Sequence, residues 1–171
     1  MLRSQSSLCK RYGLIRLYRV AKPPSQKGRG LASQKKNWPG DYLQDTTEKP
    51  AASEVAIVAA EARLGVVFPD QYRELLLLCN GCRLNFKEMK TWINSIEDAV
   101  AENEALGTVP QGYFFFGSNG GGEAFAFDLR NQNAVYLVAY ISSWRKDAIK
   151  IGSTLSDLFD RLMAGESLYP H

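Results

Sequence analysis

"FFFGSNGGGEAFAFDLR", residues Phe114 to Arg130, sets three consecutive glycines between two runs that both read as buried strand. Such glycines either cradle a phosphate or turn a corner. A phosphate loop needs a helix after its glycines and a Lys followed by Ser or Thr, so that backbone N–H groups and the helix dipole meet the anion. Here "EAFAFDL" follows Gly122, a strand pattern, and Glu123 sets a carboxylate where a phosphate would lie. The spacing of Gly117, Gly120, Gly121 and Gly122 also departs from the dinucleotide fingerprint, and again no helix follows. The glycines therefore connect two antiparallel strands, with Ser118 and Asn119 in the connection. Gly121 is expected to hold a backbone angle that only glycine tolerates.

Working outward, strands are expected at 113–116, 123–129 and 134–140, rich in aromatic and β-branched residues and separated by Gly or Asn turns. Because side chains alternate along a strand, Phe125, Phe127 and Leu129 share one face, and Ala124, Ala126 and Asp128 the other. Shorter strands are expected at 83–86 and 148–151. Ser53 caps a first helix reaching Leu64, with Val55, Val58 and Ala62 as its apolar positions and Gly65 as its stop. A second helix starts at Pro69 and runs through Tyr72, Leu75, Leu76 and Cys79 to the stop signal Asn80-Gly81. Ser95 and Asp98 form a capping box for a third, which turns Ile96, Ala99 and Val100 inward and keeps an acidic outer face. Thr154 and Asp157 cap the last, with Leu155, Leu158, Phe159, Leu162 and Met163 on one stripe and Gly165 at its end. This order predicts an α+β fold, a single domain whose central antiparallel or mixed sheet of about four to five strands is flanked by helices.

The chain has 171 residues, 45% of them hydrophobic, enough for an ordinary core without metals or disulfides. Its net charge of +3 conceals an asymmetry, since residues 1–40 hold ten Lys or Arg and no acid. The remaining 41–171 hold eleven basic against eighteen acidic residues, a net −7. The basic stretch mixes Ser, Gln, Gly, Pro and Lys and is expected to be a disordered tail, with the domain at 41–171. It fits an organellar transit peptide, a basic arm for nucleic acid, or a start assigned too far upstream. No nucleic-acid binding is expected outside it. Three cysteines without a secretory signal fit a reducing cytoplasm. No apolar run approaches the roughly 20 residues of a membrane span.

Catalytic constellations are sparse. Cys79-Asn80-Gly81-Cys82 is a C-x-x-C, but a zinc site needs two further ligands, and only Cys9 and His171 remain. As a redox pair it would favour thiolate at a helix N-terminus, whereas Cys79 falls at an expected C-terminus. A nucleophile–His pair has only the terminal His171 to use. Glu97 with Asp98 and Glu102 with Glu104 read as capping and solvated carboxylates, and Asp128 as the cap of the turn that follows it. No cofactor or metal is expected.

Two segments together carry a resemblance. "FPDQYRELLLLCNG", residues 68–81, starts a helix with Pro69 and Tyr72 and closes on Asn80-Gly81; about thirty residues later come Phe116, Gly117, Gly120, Gly121 and Gly122, then an aromatic strand to Asp128. The pair resembles the SUKH superfamily, the family of the fungal cell-wall assembly regulator and of bacterial toxin-immunity proteins, over roughly residues 50–164. Cys82 departs from the second glycine often found there, and residues 1–40 have no counterpart. The resemblance implies a non-catalytic binding domain. Its members include cytoplasmic immunity proteins that neutralise cognate toxins, often nucleases, and regulators of cell-wall synthesis; a thiol oxidoreductase using Cys79 and Cys82 is a lesser reading. An acidic surface can steer toward the cations with which a nuclease grips phosphates. That expectation falls on Glu97, Asp98, Glu102 and Glu104, with Glu123 beside the glycine turn.

Overall fold

Aromatic and β-branched alternation builds the sheet. In the computed structural model, residues 38–43, 47–86, 89–141 and 144–169 are described. Contacts divide the chain into Met1–Gln34 and Lys35–His171, and the described residues all belong to the second. The expected tail lies outside them up to residue 37.

The sheet has seven strands in chain order. These are β1 (Thr47–Glu48), β2 (Cys82–Asn85), β3 (Lys90–Ile93), β4 (Tyr113–Ser118), β5 (Glu123–Asp128), β6 (Ala134–Ala139) and β7 (Ile149–Gly152). Each pairs antiparallel with its neighbour. Since β1 is only two residues long, six strands carry the sheet, more than the four to five expected. The strand missed among the longer ones is β3, whose four residues are too few for alternation to register.

Helices α1 (Glu54–Leu64), α2 (Asp70–Leu76), α3 (Ile96–Leu106) and α5 (Leu155–Ala164) join a single-turn α4 (Trp144–Asp147). The first, second, third and fifth share one core with Phe114, Phe116, Phe125, Phe127, Val135 and Leu137, so these helices pack on one face of the sheet. Ala124, Ala126, Phe115, Tyr113 and Val138 form a smaller cluster on the other face, as the alternation in β5 requires. Tyr72 stands at the centre, its ring within 5.4–5.9 Å of Phe68, Phe114, Phe116 and Phe127. Its buried hydroxyl has no hydrogen-bond partner among the described residues, and burial pushes its pKa well up.

The caps fall where expected. Ser53, Ser95 and Thr154 accept from Ala56, Asp98 and Asp157, and Gly65 and Gly165 close their helices in the left-handed conformation, as does Gly107, a stop not anticipated. The inward face of α1 differs: Ile57 and Ala60 are buried, while Val55 and Val58 are 80% and 53% exposed. Nearly all of this helix is Val, Ala, Ile or Leu, so periodicity does not choose a face; the bulkier Ile57 sets it. Met163, placed on the inner stripe of α5, is also exposed. Helix α2 ends at Leu76 rather than at Asn80, because Asn80 N–H leaves the helical ladder to reach Pro50 O at 3.1 Å. No helix among the described residues is long and apolar enough to cross a membrane.

Candidate partner-binding surface

The two sequence segments singled out above meet around the start of α3. Between Trp92 and Ser95 the chain runs through a slot between two glycines. A Cβ on Gly81 would lie 2.7 Å from Ser95 N, and a Cβ on Gly117 would fall on the Trp92 carbonyl oxygen. Gly120 lies against the Trp92 ring, into which a Cβ there would project, and holds φ +67. The glycines thus turn the corner and also admit Trp92. The glycine-only angle expected at Gly121 falls instead at Gly120 and Gly122. Gly121 would carry a side chain in ordinary contact, 3.4 Å from Asn119 Oδ1. Asn119 shapes the turn, accepting from Gly121 N at 2.8 Å and donating to Glu123 Oε2 at 2.6 Å.

Asn80 ties the slot to α3. Its Oδ1 accepts from Ile96 N at 2.8 Å and its Nδ2 donates to Glu97 at 3.1 Å. Gly81 O accepts from Lys49 N, and Lys49 Nζ reaches Asp98 at 3.2 Å. A groove of about 450 Å³ opens here, lined by Lys49, Gly81, Arg83, Trp92, Asn94 and Asp98 among others.

A family model, the SMI1 / KNR4 family (SUKH-1), matches residues 51–161. The chain belongs to this family. Over 118 residues it is 31% identical to YnaB of Bacillus subtilis (strain 168), a protein described as uncharacterized, covering 68% of this chain and 79% of that one. The slot and the glycine turn both fall inside the SUKH-1 match.

Within this SUKH-1 domain the expected acidic residues lie on different neighbours. Glu97 accepts from Asn80, and hydrogen bonding to its own backbone N–H, at the start of α3, leads in holding its pKa below the usual range. Asp98 is held low chiefly by the Ser95 hydroxyl, with Lys49 adding to it. Glu104 forms a fork with Arg63, both contacts at 2.6 Å, which lowers its pKa. Glu102 accepts from Asn94 at 2.6 Å and from the Tyr140 hydroxyl at 2.5 Å. Burial, then Glu102, pushes the Tyr140 phenol up. Glu123 accepts from Asn119 and from Tyr169 at 2.5 Å, and this bond to Glu123 raises the Tyr169 phenol. Asp98 and Glu104 are therefore paired with cations, whereas the side-chain hydrogen bonds to Glu97, Glu102 and Glu123 among the described residues come from neutral groups, with Lys49 acting on Glu97 through space.

The other SUKH-1 motif residues have structural positions. Pro69 N-caps α2 and its carbonyl accepts from Tyr72 and Arg73. Phe116 is fully buried beside Phe125 and Phe127, at a bulge between Phe115 and Gly117. Asp128 caps its turn, accepting from Arg130 N at 3.0 Å and from the Arg130 guanidinium at 2.9 Å. Burial pushes this carboxyl up, but Arg130 outweighs it and the net shift is downward. Cys79 and Cys82 remain thiols at 0% and 5% exposure, Cys79 in the turn after α2 and Cys82 at the start of β2. Cys79 stands after the C-terminal end of α2, not at the helix N-terminus that would favour thiolate.

Sequence reasoning missed Trp92, Arg83 and Asn103. The four-residue β3 conceals Trp92, and Arg83, at the start of a strand that was expected, gives no sign that it faces Trp92. Asn103 did leave a signal, since asparagine inside a helix is a weak helix former and needs a reason to be there.

Proposed function

We propose that this SUKH-1 chain is a non-catalytic protein-binding domain of the immunity type, which blocks a cognate toxin with a cationic, phosphate-gripping surface. Membership of the family supports the binding role. The observation that carries the partner's chemistry is that Glu97, Glu102 and Glu123 are fixed by neutral donors and form no direct ion pair among the described residues, so these carboxylates are preorganised. Fixed, like-signed charge accelerates encounter with an oppositely charged partner and loses that effect in salt.

The test uses the full chain and the product of the gene beside its own, mixed in stopped flow. Association should slow several-fold between 0.1 M and 1 M salt, as the Debye length contracts from ~10 Å to ~3 Å. The double variant Glu97→Gln, Glu123→Gln should associate several-fold more slowly at low salt with little change in melting temperature. Glu104→Gln, whose carboxylate already faces Arg63, should differ little from the parent. A salt-independent rate, or equal rates for parent and double variant, would remove the acidic surface from the docking reaction.

A further inference from the structure

Arginines of this domain hold carboxylates: Arg63 holds Glu104, Arg73 holds Glu54 and Glu61, Arg130 holds Asp128, and Arg161 holds Glu166. Among the described residues Arg83 holds none. It is exposed on the side of β2 away from the helices, directly across the strand pair from the partly buried Trp92. In the same hairpin Lys90 is exposed, also without an ion pair among the described residues, and stands opposite Asn85. Both Arg83 and Trp92 line the groove of about 450 Å³, as do Lys49 and Asp98, which pair with each other.

We infer that this groove takes an extended acidic segment of a protein partner, with a carboxylate on the Arg83 guanidinium and a neighbouring apolar side chain on the Trp92 indole. The proposal rests on the reading of the domain as a protein binder, not on the partner's being a toxin. A guanidinium presents parallel donors that match a carboxylate. Directly opposed side chains on antiparallel strands stand about 5 Å apart at Cβ, so one short peptide can span both. Trp92 is fixed for this by Gly117 and Gly120, and Trp and Arg are the side chains that most often dominate protein interfaces. A nucleic acid shares the taste for arginine and indole but brings a chain of phosphates. Asp98 in the lining, Glu97 beside it and the −7 of residues 41–171 oppose such an unbroken chain of phosphates more than a segment whose carboxylates are spaced by apolar side chains.

The probe is a blocked hexapeptide of alternating Glu and Leu, titrated into the full ¹⁵N-labelled chain and followed by NMR. Its controls are the Lys–Leu hexapeptide and hexauridylate. The Trp92 indole N–H, assigned by Trp92→Phe, and the Arg83 Nε–H should shift saturably with the acidic peptide and not with the basic one. Arg83→Gln, which removes no internal ion pair, should keep the melting temperature and weaken peptide binding about tenfold, the scale of a charge-assisted hydrogen bond. No shift at millimolar peptide, equal affinity for the basic peptide, or tighter binding of hexauridylate would overturn the proposal, the last in favour of a nucleic-acid site. The Glu97→Gln, Glu123→Gln variant should retain peptide binding. Loss of peptide binding with salt-sensitive toxin association intact overturns the groove alone; the converse overturns the toxin reading alone.

Discussion

Replacing Asn103 by Ala is expected to cost about 3–5 kcal/mol of stability, a large fraction of what an ordinary domain possesses. Asn103 is 2% exposed in the middle of α3. Its Nδ2 donates to Ala99 O and Phe115 O, both at 2.7 Å, and its Oδ1 accepts from Phe115 N at 2.7 Å and from the Thr108 hydroxyl. The side-chain amide thus serves Phe115 as a neighbouring strand would. The β3–β4 ladder consists of Trp92–Ser118 and Ile93–Gly117, and Asn103 engages Phe115 beyond the end of that ladder. Truncation removes the Asn103 bonds to the Phe115 N–H and C=O and to the Thr108 hydroxyl from the interior. Asn103→Asp should also destabilise strongly, because a carboxylate cannot donate to Phe115 O and its charge would be buried. Urea denaturation measures both; a loss below about 1 kcal/mol for Asn103→Ala would show that the amide is not what holds α3 to β4.

Gly117→Ala is expected to cost more than about 3 kcal/mol, placing it among the severe single substitutions. Its new methyl would meet the Trp92 carbonyl oxygen, which is backbone and paired in the sheet, not a side chain able to swing aside. Gly121→Ala, four residues on, should stay within about 0.5 kcal/mol of the parent, since its φ is ordinary and its Cβ meets only the Asn119 side chain. The contrast is the measurement: melting temperatures that fall equally for both variants, or not at all for Gly117→Ala, would contradict the slot.

The elements that were legible share a cause. Helix caps and stops are local chemistry, so Ser53, Ser95, Thr154, Gly65 and Gly165 could be read directly. The central strands announced themselves through long aromatic runs, and Phe125 and Phe127 faced the side that alternation assigned. What stayed hidden depends on partners distant in the chain. The buried face of α1 is chosen by what packs on it, not by its own nearly uniform apolar sequence. Gly117, Gly120 and Gly121 look alike in a row, and only the position of Trp92, more than twenty residues earlier, tells them apart. The acidic run of α3 was visible as charge. Which carboxylates are cancelled was not, because Arg63 and Lys49 come from segments far upstream.

The narrow pairing of β3 with β4 has a consequence for folding. Six register pairs join β5 to β6, against two between β3 and β4. Strands linked by tight turns close with little loop entropy, so the meander from β4 to β7 can zip up from its own hairpins. The β2–β3 hairpin is joined to β4 through residues 94–112, which include α3, a much longer connection than the turns within the meander. Amide hydrogen exchange should accordingly resolve two cooperative units, with the amides of β2 and β3 opening at lower free energy than those of β5. Uniform protection across all of these strands would mean that the seam is as strong as the ladders on either side of it. If it is the weaker line, a ligand gripping Arg83 and Trp92 of the hairpin together with Asp98 of α3 would slow the opening of the hairpin, and binding could be read as a change in local unfolding without any movement of the core.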